Sequence, residues 1–288
     1  MENALVLGAG GITGIAWHLG VLTGLRAAGV DLTGADLMVG TSAGSVTGAL
    51  LTAGLDLDEA RRMEARLGDG DPPIEPDWER GSAAFAALTD DSLDQATIRR
   101  TVGRLALEAQ VVAEGPYVAS LTRRLPRHEW PARPLVITAV DAGSGEPVAW
   151  DRDSGVPLDL AVAASCAVPA VFPPVTVGGR RYMDGGVRSG TNADLAAGCR
   201  RIVVLAPLAP IRMHGAPAAE IEALRQGSTV ALVAPDEATL AALGPNVFDA
   251  GRWELAIEAG IAQGERVAPE VAAVWHDGDA EAPAAWQS

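Results

Sequence analysis

The chain has 288 residues, of which 48% are hydrophobic, which predicts a folded domain with a large core and excludes a disordered chain. The formal net charge is -15, so the chain as a whole has no electrostatic attraction to nucleic acid or to anionic membranes. The two cysteines, Cys166 and Cys199, form no CxxC motif or Cys/His cluster, so we expect buried reduced thiols and no metal site.

Near the N-terminus, residues 4–25 form an uncharged stretch that is long enough to cross a bilayer. Six glycines interrupt it, and it lacks the basic segment and the cleavage site of a signal peptide. We therefore predict a buried strand, a glycine loop and a buried helix in this stretch, and we expect a cytoplasmic protein.

Apolar runs alternate with glycines along the chain, a pattern typical of a parallel sheet covered by helices on both faces. Strands are predicted at residues 4–7, 37–39, 135–140, 147–150, 175–177, 181–183, 202–205 and 229–233. Helices are predicted at residues 15–28, 45–53, 93–108, 117–125 and 158–167, from 192 onward, and at 251–275. We expect a single domain at 1–276, a frayed tail at 277–288, and a helical insertion at 68–133 that could act as a lid.

The strongest motif is Gly40-Thr-Ser42-Ala-Gly44, which lies between an apolar strand and an apolar helix. A G-x-S-x-G sequence in this context is typical of a nucleophile elbow, where a serine sits on a sharp turn at a helix N-terminus. A serine beside glycines is more often a helix cap, so the flanking strand and helix are what favour catalysis. Ser42 is the candidate nucleophile.

The segment Gly8-Ala-Gly-Gly-Ile-Thr-Gly14 follows the first strand and allows two interpretations. A dinucleotide-binding loop would need glycine in place of Thr13 and an acidic residue closing a second strand. In the other interpretation, backbone N–H groups of the loop stabilise the carbonyl oxygen that becomes negative during acyl transfer. Neighbouring parallel strands would bring such a loop beside Ser42.

Asp184 is the candidate base, since a serine hydroxyl becomes a good nucleophile only when a nearby group takes its proton. It follows Tyr182-Met183 and precedes two glycines, a pattern that usually marks a surface turn. Partial burial close to the serine would raise its basicity. None of the four histidines has a neighbourhood that marks it as catalytic.

These motifs together resemble the patatin-like phospholipase family over roughly residues 4–206. The matching segments are the loop at 8–14, Gly40–Gly44, Ala164–Pro169, Phe172–Pro174, Asp184–Gly186, Asn192 and the strand at 202–205. The resemblance implies a three-layer α/β/α domain that hydrolyses acyl esters of lipids without a metal or a cofactor. It also implies a catalytic dyad of Ser42 and Asp184, with an oxyanion hole formed by the backbone of Gly10 and Gly11.

The chain departs from the family pattern at two positions of the glycine loop. Ala9 stands where the family has its first glycine, and Thr13 stands where it has arginine or lysine. The missing positive charge bears on head-group preference more than on acyl transfer, which uses backbone groups. We expect a lipid or other acyl ester as substrate, no nucleic acid, and at most transient membrane contact through apolar side chains.

Two other functions stay open on the sequence. An α/β-hydrolase would use a Ser-His-Asp triad, and the chain order Ser42, Asp184 and then His214 or His276 suits it. The position of Ser42 after only the second strand argues against this fold. The third possibility is a protein without catalytic activity that binds a lipid or a dinucleotide.

Overall fold

An eight-stranded mixed sheet forms the centre of the computed structural model, which describes residues 1–65, 74–209 and 217–276. Its strands are β1 (Asn3–Leu7), β2 (Leu37–Gly40), β3 (Leu135–Asp141), β4 (Pro147–Trp150), β5 (Val175–Val177), β6 (Arg180–Asp184), β7 (Arg201–Leu205) and β8 (Thr229–Val233). The helices are α1 (Gly11–Ala27), α2 (Ala43–Thr52), α3 (Leu57–Ala65), α4 (Trp78–Leu88), α5 (Gln95–Glu108), α6 (Glu114–Thr122), α7 (Leu158–Ser165), α8 (Pro217–Leu224), α9 (Glu237–Leu243) and α10 (Trp253–Trp275).

The strand order is β5-β6-β3-β2-β1-β7-β8, with β4 also paired to β3. The five strands β3, β2, β1, β7 and β8 run parallel, whereas β4, β5 and β6 add antiparallel pairs at one end. This arrangement confirms the predicted α/β class and the mainly parallel sheet.

The strand β3 brings two chain segments together because it pairs with both β2 and β6. The strand β2 runs parallel to β3 and ends with Gly40 opposite Ile137. The strand β6 runs antiparallel to β3 and ends with Asp184 opposite Ala139. The two strands therefore run toward each other along β3, and the segments that follow them meet.

Both faces of the sheet are covered, as the alternation of side chains along β1 shows. Leu5 and Leu7 belong to a core cluster with α1, α2, α7 and α10. Ala4 and Val6 face the other side, where they belong to a cluster with residues of α8. On that same side, α4 and α5 cover β3 and β6 through a cluster that includes Val140. These helices and the sheet make the three layers.

Most predicted strands and helices lie within a few residues of their observed bounds, but one predicted helix is wrong. The helix expected from Asn192 onward is only a 3₁₀ turn at Ala193–Ala196, because the chain then turns at Gly198 to enter β7. The helices α3, α4, α8 and α9 were not predicted from the sequence.

The helical insertion was predicted at residues 68–133. Residues 74–133 hold α4 to α6 and no strand, while residues 68–73 and the predicted tail at 277–288 lie outside the described part of the chain.

The first and last helices pack with their backbones in direct contact. A Cβ atom on Gly20 or Gly24 of α1 would lie 2.5 or 2.1 Å from the carbonyl oxygens of Ile257 and Ile261, respectively. On α10, a Cβ on Gly264 would lie 2.4 Å from the carbonyl oxygen of Val21. Glycine is needed here for close approach, and the glycines of α1 do not interrupt the helix.

Candidate active site

Ser42 occupies a tight turn between β2 and α2. Its backbone φ of 53° and ψ of -118° lie in a region that residues other than glycine rarely adopt. The flanking glycines have no room for a side chain, since a Cβ on Gly44 would lie 1.8 Å from the carbonyl oxygen of Leu7. A Cβ on Gly40 would lie 2.7 Å from the carbonyl oxygen of Gly44. This sharp turn from strand to helix has the geometry that the predicted nucleophile elbow requires.

Hydrogen bonds from several elements hold the elbow. The Ser42 amide donates to the Ser165 hydroxyl at the end of α7, at 2.9 Å. The Ser45 hydroxyl donates to the Ser42 carbonyl at 2.7 Å, and the Thr41 amide donates to the Leu7 carbonyl at 3.0 Å. The strained residue is thus fixed by its neighbours on both sides, which is how backbone strain persists at functional sites.

Asp184 ends β6 and is almost completely buried, with 4% of its surface exposed. Burial raises the pKa of its carboxyl from 3.8 to about 7, and hydrogen bonds from the Ser42 side chain and the Gly186 amide oppose this rise. The Gly186 amide donates to Asp184 Oδ1 at 2.7 Å. The structure therefore brings the side chains of Ser42 and Asp184 into hydrogen-bonding contact, and it raises the pKa of the carboxyl toward neutrality.

Asn192 connects the segments that carry Ser42 and Asp184. Its side-chain amide lies 3.0 Å from the Thr41 hydroxyl, 3.3 Å from the Thr138 hydroxyl of β3 and 3.3 Å from the Gly185 carbonyl. Its φ of 51° is left-handed, a conformation that asparagine tolerates better than most residues. Since Asn192 is fully buried, this network fixes the spacing between the two candidate catalytic residues.

The glycine loop lies between β1 and α1 and is anchored at both ends. The Gly8 amide donates to the Leu205 carbonyl at 2.9 Å, and the Thr13 amide donates to the Val247 carbonyl at 3.1 Å. Within the described residues, neither the Gly10 amide nor the Gly11 amide donates to a protein acceptor. The loop thus presents free backbone donors at the N-terminus of α1, where the helix dipole favours negative charge.

Steric crowding explains why this loop is built from glycines. Gly11 has a φ of +61°, and a Cβ on it would lie 2.6 Å from the carbonyl oxygen of Val247. A Cβ on Gly10 would lie 2.7 Å from the Cα atom of Gly14. Thr13, which stands where a dinucleotide-binding loop would need glycine, is buried inside α1.

A cavity of about 380 Å³ opens beside Ser42 and Gly11. Its wall is mostly apolar, and it includes a ring stack of Tyr117 on Phe172, whose centroids are 4.8 Å apart. The lining side chains come mainly from α1, α2, α3, α6 and the loops after α7 and before α10. The full lining is Gly11, Ile12, Ile15, Ser42, Ala43, Val46, Glu64, Ala65, Ile74, Tyr117, Ser120, Leu121, Arg124, Cys166, Val168, Phe172, Phe248, Ala250 and Trp253.

The charged part of this wall is an ion pair between Glu64 and Arg124. The guanidinium Nη1 lies 2.6 Å from Glu64 Oε2, and the Glu64 side chain is fully buried. The pair joins α3 to the segment after α6, so it connects two walls of the cavity. A cavity that is largely apolar, with polar groups at a few places, is the usual form of a site for a small hydrophobic ligand.

The sequence of residues 5–197 matches the family model described as patatin-like phospholipase. This match covers more than half of the chain and includes the loop, the elbow and Asp184. The chain belongs to the patatin-like phospholipase family. The resemblance seen in the motifs is thereby confirmed.

Several proteins with curated descriptions are similar to this family member. NTE family proteins of Mycobacterium bovis and of two Mycobacterium tuberculosis strains are each 34% identical to it over 206 residues. The alignment covers 67% of this chain and 47% of each relative, so the chain spans about half the length of the relatives that it matches.

Two solved structures align with most of this chain. VipD from Legionella pneumophila aligns with a TM-score of 0.46 at 14% identity, over 93% of this chain and 67% of VipD. A chain of the heterodimeric complex ExoU-SpcU from Pseudomonas aeruginosa aligns with a TM-score of 0.40 at 20% identity, over 94% of this chain and 52% of that chain. Among the described helices of this patatin-like protein, none is both long and apolar enough to span a bilayer.

The histidines that the structure describes do not line the cavity of this patatin-like protein. His18 is completely buried in α1, where burial lowers its pKa to about 3, and its Nδ1 lies 3.4 Å from the Thr47 hydroxyl. His128 and His276 are exposed, the latter at the end of α10. His214, one of the two triad candidates, lies outside the described residues.

Sequence reasoning missed the residues that position the site. The Ser165 hydroxyl accepts a hydrogen bond from the Ser42 amide, although the two residues are 123 positions apart in the chain. The Thr138 hydroxyl bonds to the Thr41 hydroxyl across 97 positions. No local pattern marks them, because their role depends on which strands become neighbours. Ser165, within Ala164–Pro169, and Asn192 were included in the family resemblance, but their sequence neighbourhoods carry no sign of these hydrogen bonds.

Proposed function

We propose that this protein is a serine acyl hydrolase of the lipase and phospholipase type, with a catalytic dyad of Ser42 and Asp184. The observation that carries the proposal is the buried carboxyl of Asp184, whose pKa is raised to about 7 and which interacts with the Ser42 side chain. A carboxylate with that pKa can accept a proton near neutral pH, as a general base must. Membership of the patatin-like family supports a lipid ester as the substrate.

In the first half of the reaction, the Ser42 Oγ attacks the ester carbonyl carbon and Asp184 takes the hydroxyl proton. The tetrahedral intermediate then collapses, the bond to the leaving alkoxide breaks, and Asp184 returns the proton to that oxygen. The product is an acyl-serine ester and a free alcohol.

The negative oxygen of the tetrahedral intermediate needs donors, and we assign this role to the backbone of Gly10 and Gly11. The amides of these residues have no acceptor within the described part of the chain, and Gly11 lines the cavity with Ser42. Preorganised amides of this kind stabilise developing charge without reorganisation. This role does not require the basic side chain that Thr13 replaces.

In the second half, Asp184 takes a proton from water, and the resulting nucleophile attacks the acyl-serine. Collapse of the second intermediate breaks the bond to Ser42 Oγ, which recovers its proton from Asp184, and a carboxylic acid is released. The apolar wall of the cavity, whose volume is about 380 Å³, would hold the acyl chain.

Labelling with a fluorescent fluorophosphonate, beside hydrolysis of p-nitrophenyl esters, tests the proposal. We expect the wild type to be labelled and to turn over substrate, and Ser42→Ala to do neither. Asp184→Asn should lose turnover, because an amide cannot take the proton. Ser144→Ala, an exposed serine in the loop between β3 and β4, is the matched control and should behave as the wild type.

The same assay separates the dyad from a triad. If His214→Ala or His276→Ala abolishes hydrolysis, the dyad is wrong and a histidine is the base. The histidine variants decide this, because Asp184→Asn would lose turnover in a triad as well as in a dyad. Absence of both labelling and turnover in the wild type would contradict the hydrolase proposal and favour a protein that only binds lipid. Binding of a nicotinamide or flavin dinucleotide, unaffected by Ser42→Ala, would favour the dinucleotide interpretation.

A further inference from the structure

The helix α4 turns an apolar face toward solvent. Trp78 is 76% exposed and Phe85 is 54% exposed, although both are large aromatic side chains. They are seven positions apart, which places them on the same side of an α-helix two turns apart. Exposed aromatic residues that are grouped in this way mark an interaction site more often than scattered ones do.

The rest of this helix supports the same division into two faces. Ser82, Ala83 and Ala86 are also exposed, so small side chains surround the two aromatic ones. Ala84 and Ala87 point the other way and are buried in the cluster with α5. The helix is therefore already packed on its inner side, and its outer aromatic face is not needed for the fold.

The aromatic face of α4 begins at the wall of the cavity beside Ser42. The Asp77 amide, directly before the helix, donates to the Ala170 carbonyl at 2.8 Å. Val168 and Phe172, which flank Ala170, line the cavity. Ile74 also lines the cavity while 37% of its surface is exposed, so apolar surface is shared between the cavity and the approach to α4.

The charges around Trp78 restrict what can cover this face. Glu75 and Glu79 are exposed on either side of it, and Arg80 is paired with Asp77 at 3.0 Å. Anionic lipid would meet these acids without attraction. A second copy of the chain would bring another net charge of -15 to the contact, which opposes self-association. A surface without net charge, able to accept indole and phenyl rings, fits best.

We propose that α4 docks the protein onto the surface of a bilayer of zwitterionic or neutral lipids through Trp78 and Phe85. Indole rings favour the boundary between head groups and acyl chains, and an apolar helix face can lie in that plane. This inference rests on the proposed function, because a lipid ester leaving the bilayer would enter the cavity beside Ser42 past Ile74, which lines it. The docking is transient, since two aromatic side chains give only modest affinity.

Flotation of the full-length protein with phosphatidylcholine vesicles tests this surface directly. The test variant is Trp78→Gln/Phe85→Gln, and the matched control is Leu240→Gln/Leu255→Gln. The control residues are 40% and 51% exposed but lie on α9 and α10. We expect the wild type and the control to float, and the test variant to bind at least about tenfold more weakly. Vesicles enriched in phosphatidylserine should bind no better than phosphatidylcholine alone.

Flotation needs no turnover, so the result is independent of whether Ser42 is catalytic. Hydrolysis of dissolved p-nitrophenyl butyrate should be equal in the wild type and both variants, and thermal melting by circular dichroism should show equal folding. Equal flotation of the wild type and the test variant would overturn the proposal, as would absence of flotation in the wild type. A dimer in light scattering that the test variant abolishes would also overturn it and assign the face to a second copy.

Discussion

The backbone of Ser42 is strained, and the strain can be measured through its replacements. With a φ of 53° and a ψ of -118°, any side chain with a Cβ is disfavoured at this position, whereas glycine is not. We expect the unfolding free energy of Ser42→Gly, measured with urea, to exceed that of Ser42→Ala by about 1 kcal/mol. This difference already includes the loss of stability that glycine causes by making the unfolded chain more flexible. Equal or reversed stabilities would mean that the elbow is relaxed in solution.

The raised pKa of Asp184 predicts how hydrolysis depends on pH. Only the carboxylate form can take the serine proton, and that form becomes the major one above a pKa of about 7. For a dissolved ester, kcat/KM should therefore rise tenfold per pH unit below this value and level off above it. A profile that stays flat down to about pH 5 would show that Asp184 titrates near its ordinary value.

The same shift predicts that Asp184 lowers stability at neutral and alkaline pH. The folded pKa of about 7 lies above the unfolded value of 3.8, so the folded state binds the proton more tightly and loses stability as pH rises between them. Asp184→Asn removes this loss. The unfolding free energy of Asp184→Asn minus that of the wild type should be larger at about pH 8 than at about pH 5 by roughly 2 to 3 kcal/mol. Urea titrations of both proteins at the two pH values measure it, and a gain independent of pH would contradict the assignment.

At the scale of the elements, the contact between α1 and α10 depends on glycine. A Cβ at position 24 would meet a backbone oxygen at 2.1 Å, and backbone cannot move aside as a flexible side chain can. We expect Gly24→Ala to lower the unfolding free energy by about 1 to 3 kcal/mol or more. Gly34→Ala is the control, since nothing lies within 4 Å of a Cβ there, and it should be close to neutral. Similar melting temperatures for the two variants would contradict the packing described.

Strands and the long helices could be predicted because their signal is local. The apolar runs of β1, β3 and β7 are buried on both faces, and each is long enough to be recognised without knowing its neighbours. The helices α3 and α4 were missed because few of their side chains face the core. In α4, Ala84 and Ala87 are the buried residues, and alanine gives little apolar periodicity.

The candidate site could be predicted in part for the same reason. Ser42 and Asp184 stand in recognisable motifs, whereas the short distance between them depends on β6 running antiparallel to β3, a pairing between distant segments.

Gly20 and Gly24 of α1 could not be interpreted from the sequence either. In the sequence they interrupt an uncharged stretch, whereas in the structure they allow the close contact with α10. Pairing and packing of distant elements are set by the whole fold, and no local pattern encodes them.

At the scale of the whole molecule, α10 is needed for the core even though it contributes no residue to the proposed dyad. Ala256, Ile257, Val271 and Trp275 of α10 belong to the same core cluster as α1 and the central strands. We expect a chain ending at residue 252 not to fold, as judged by far-ultraviolet circular dichroism and protease sensitivity. A chain ending at residue 276, which keeps the whole of α10, is the control and should fold. A folded, labelled protein ending at residue 252 would contradict this role of α10.

The contact between α1 and α10 also has a consequence for how the protein is made. A ribosome adding about 5 to 20 residues per second needs on the order of 10 to 50 s to pass from α1 to the end of α10. During that interval the growing chain carries α1 without the helix that packs against its glycines in the finished protein. While it lacks α10, α1 offers apolar surface on which a chaperone can act and from which an interrupted chain can aggregate.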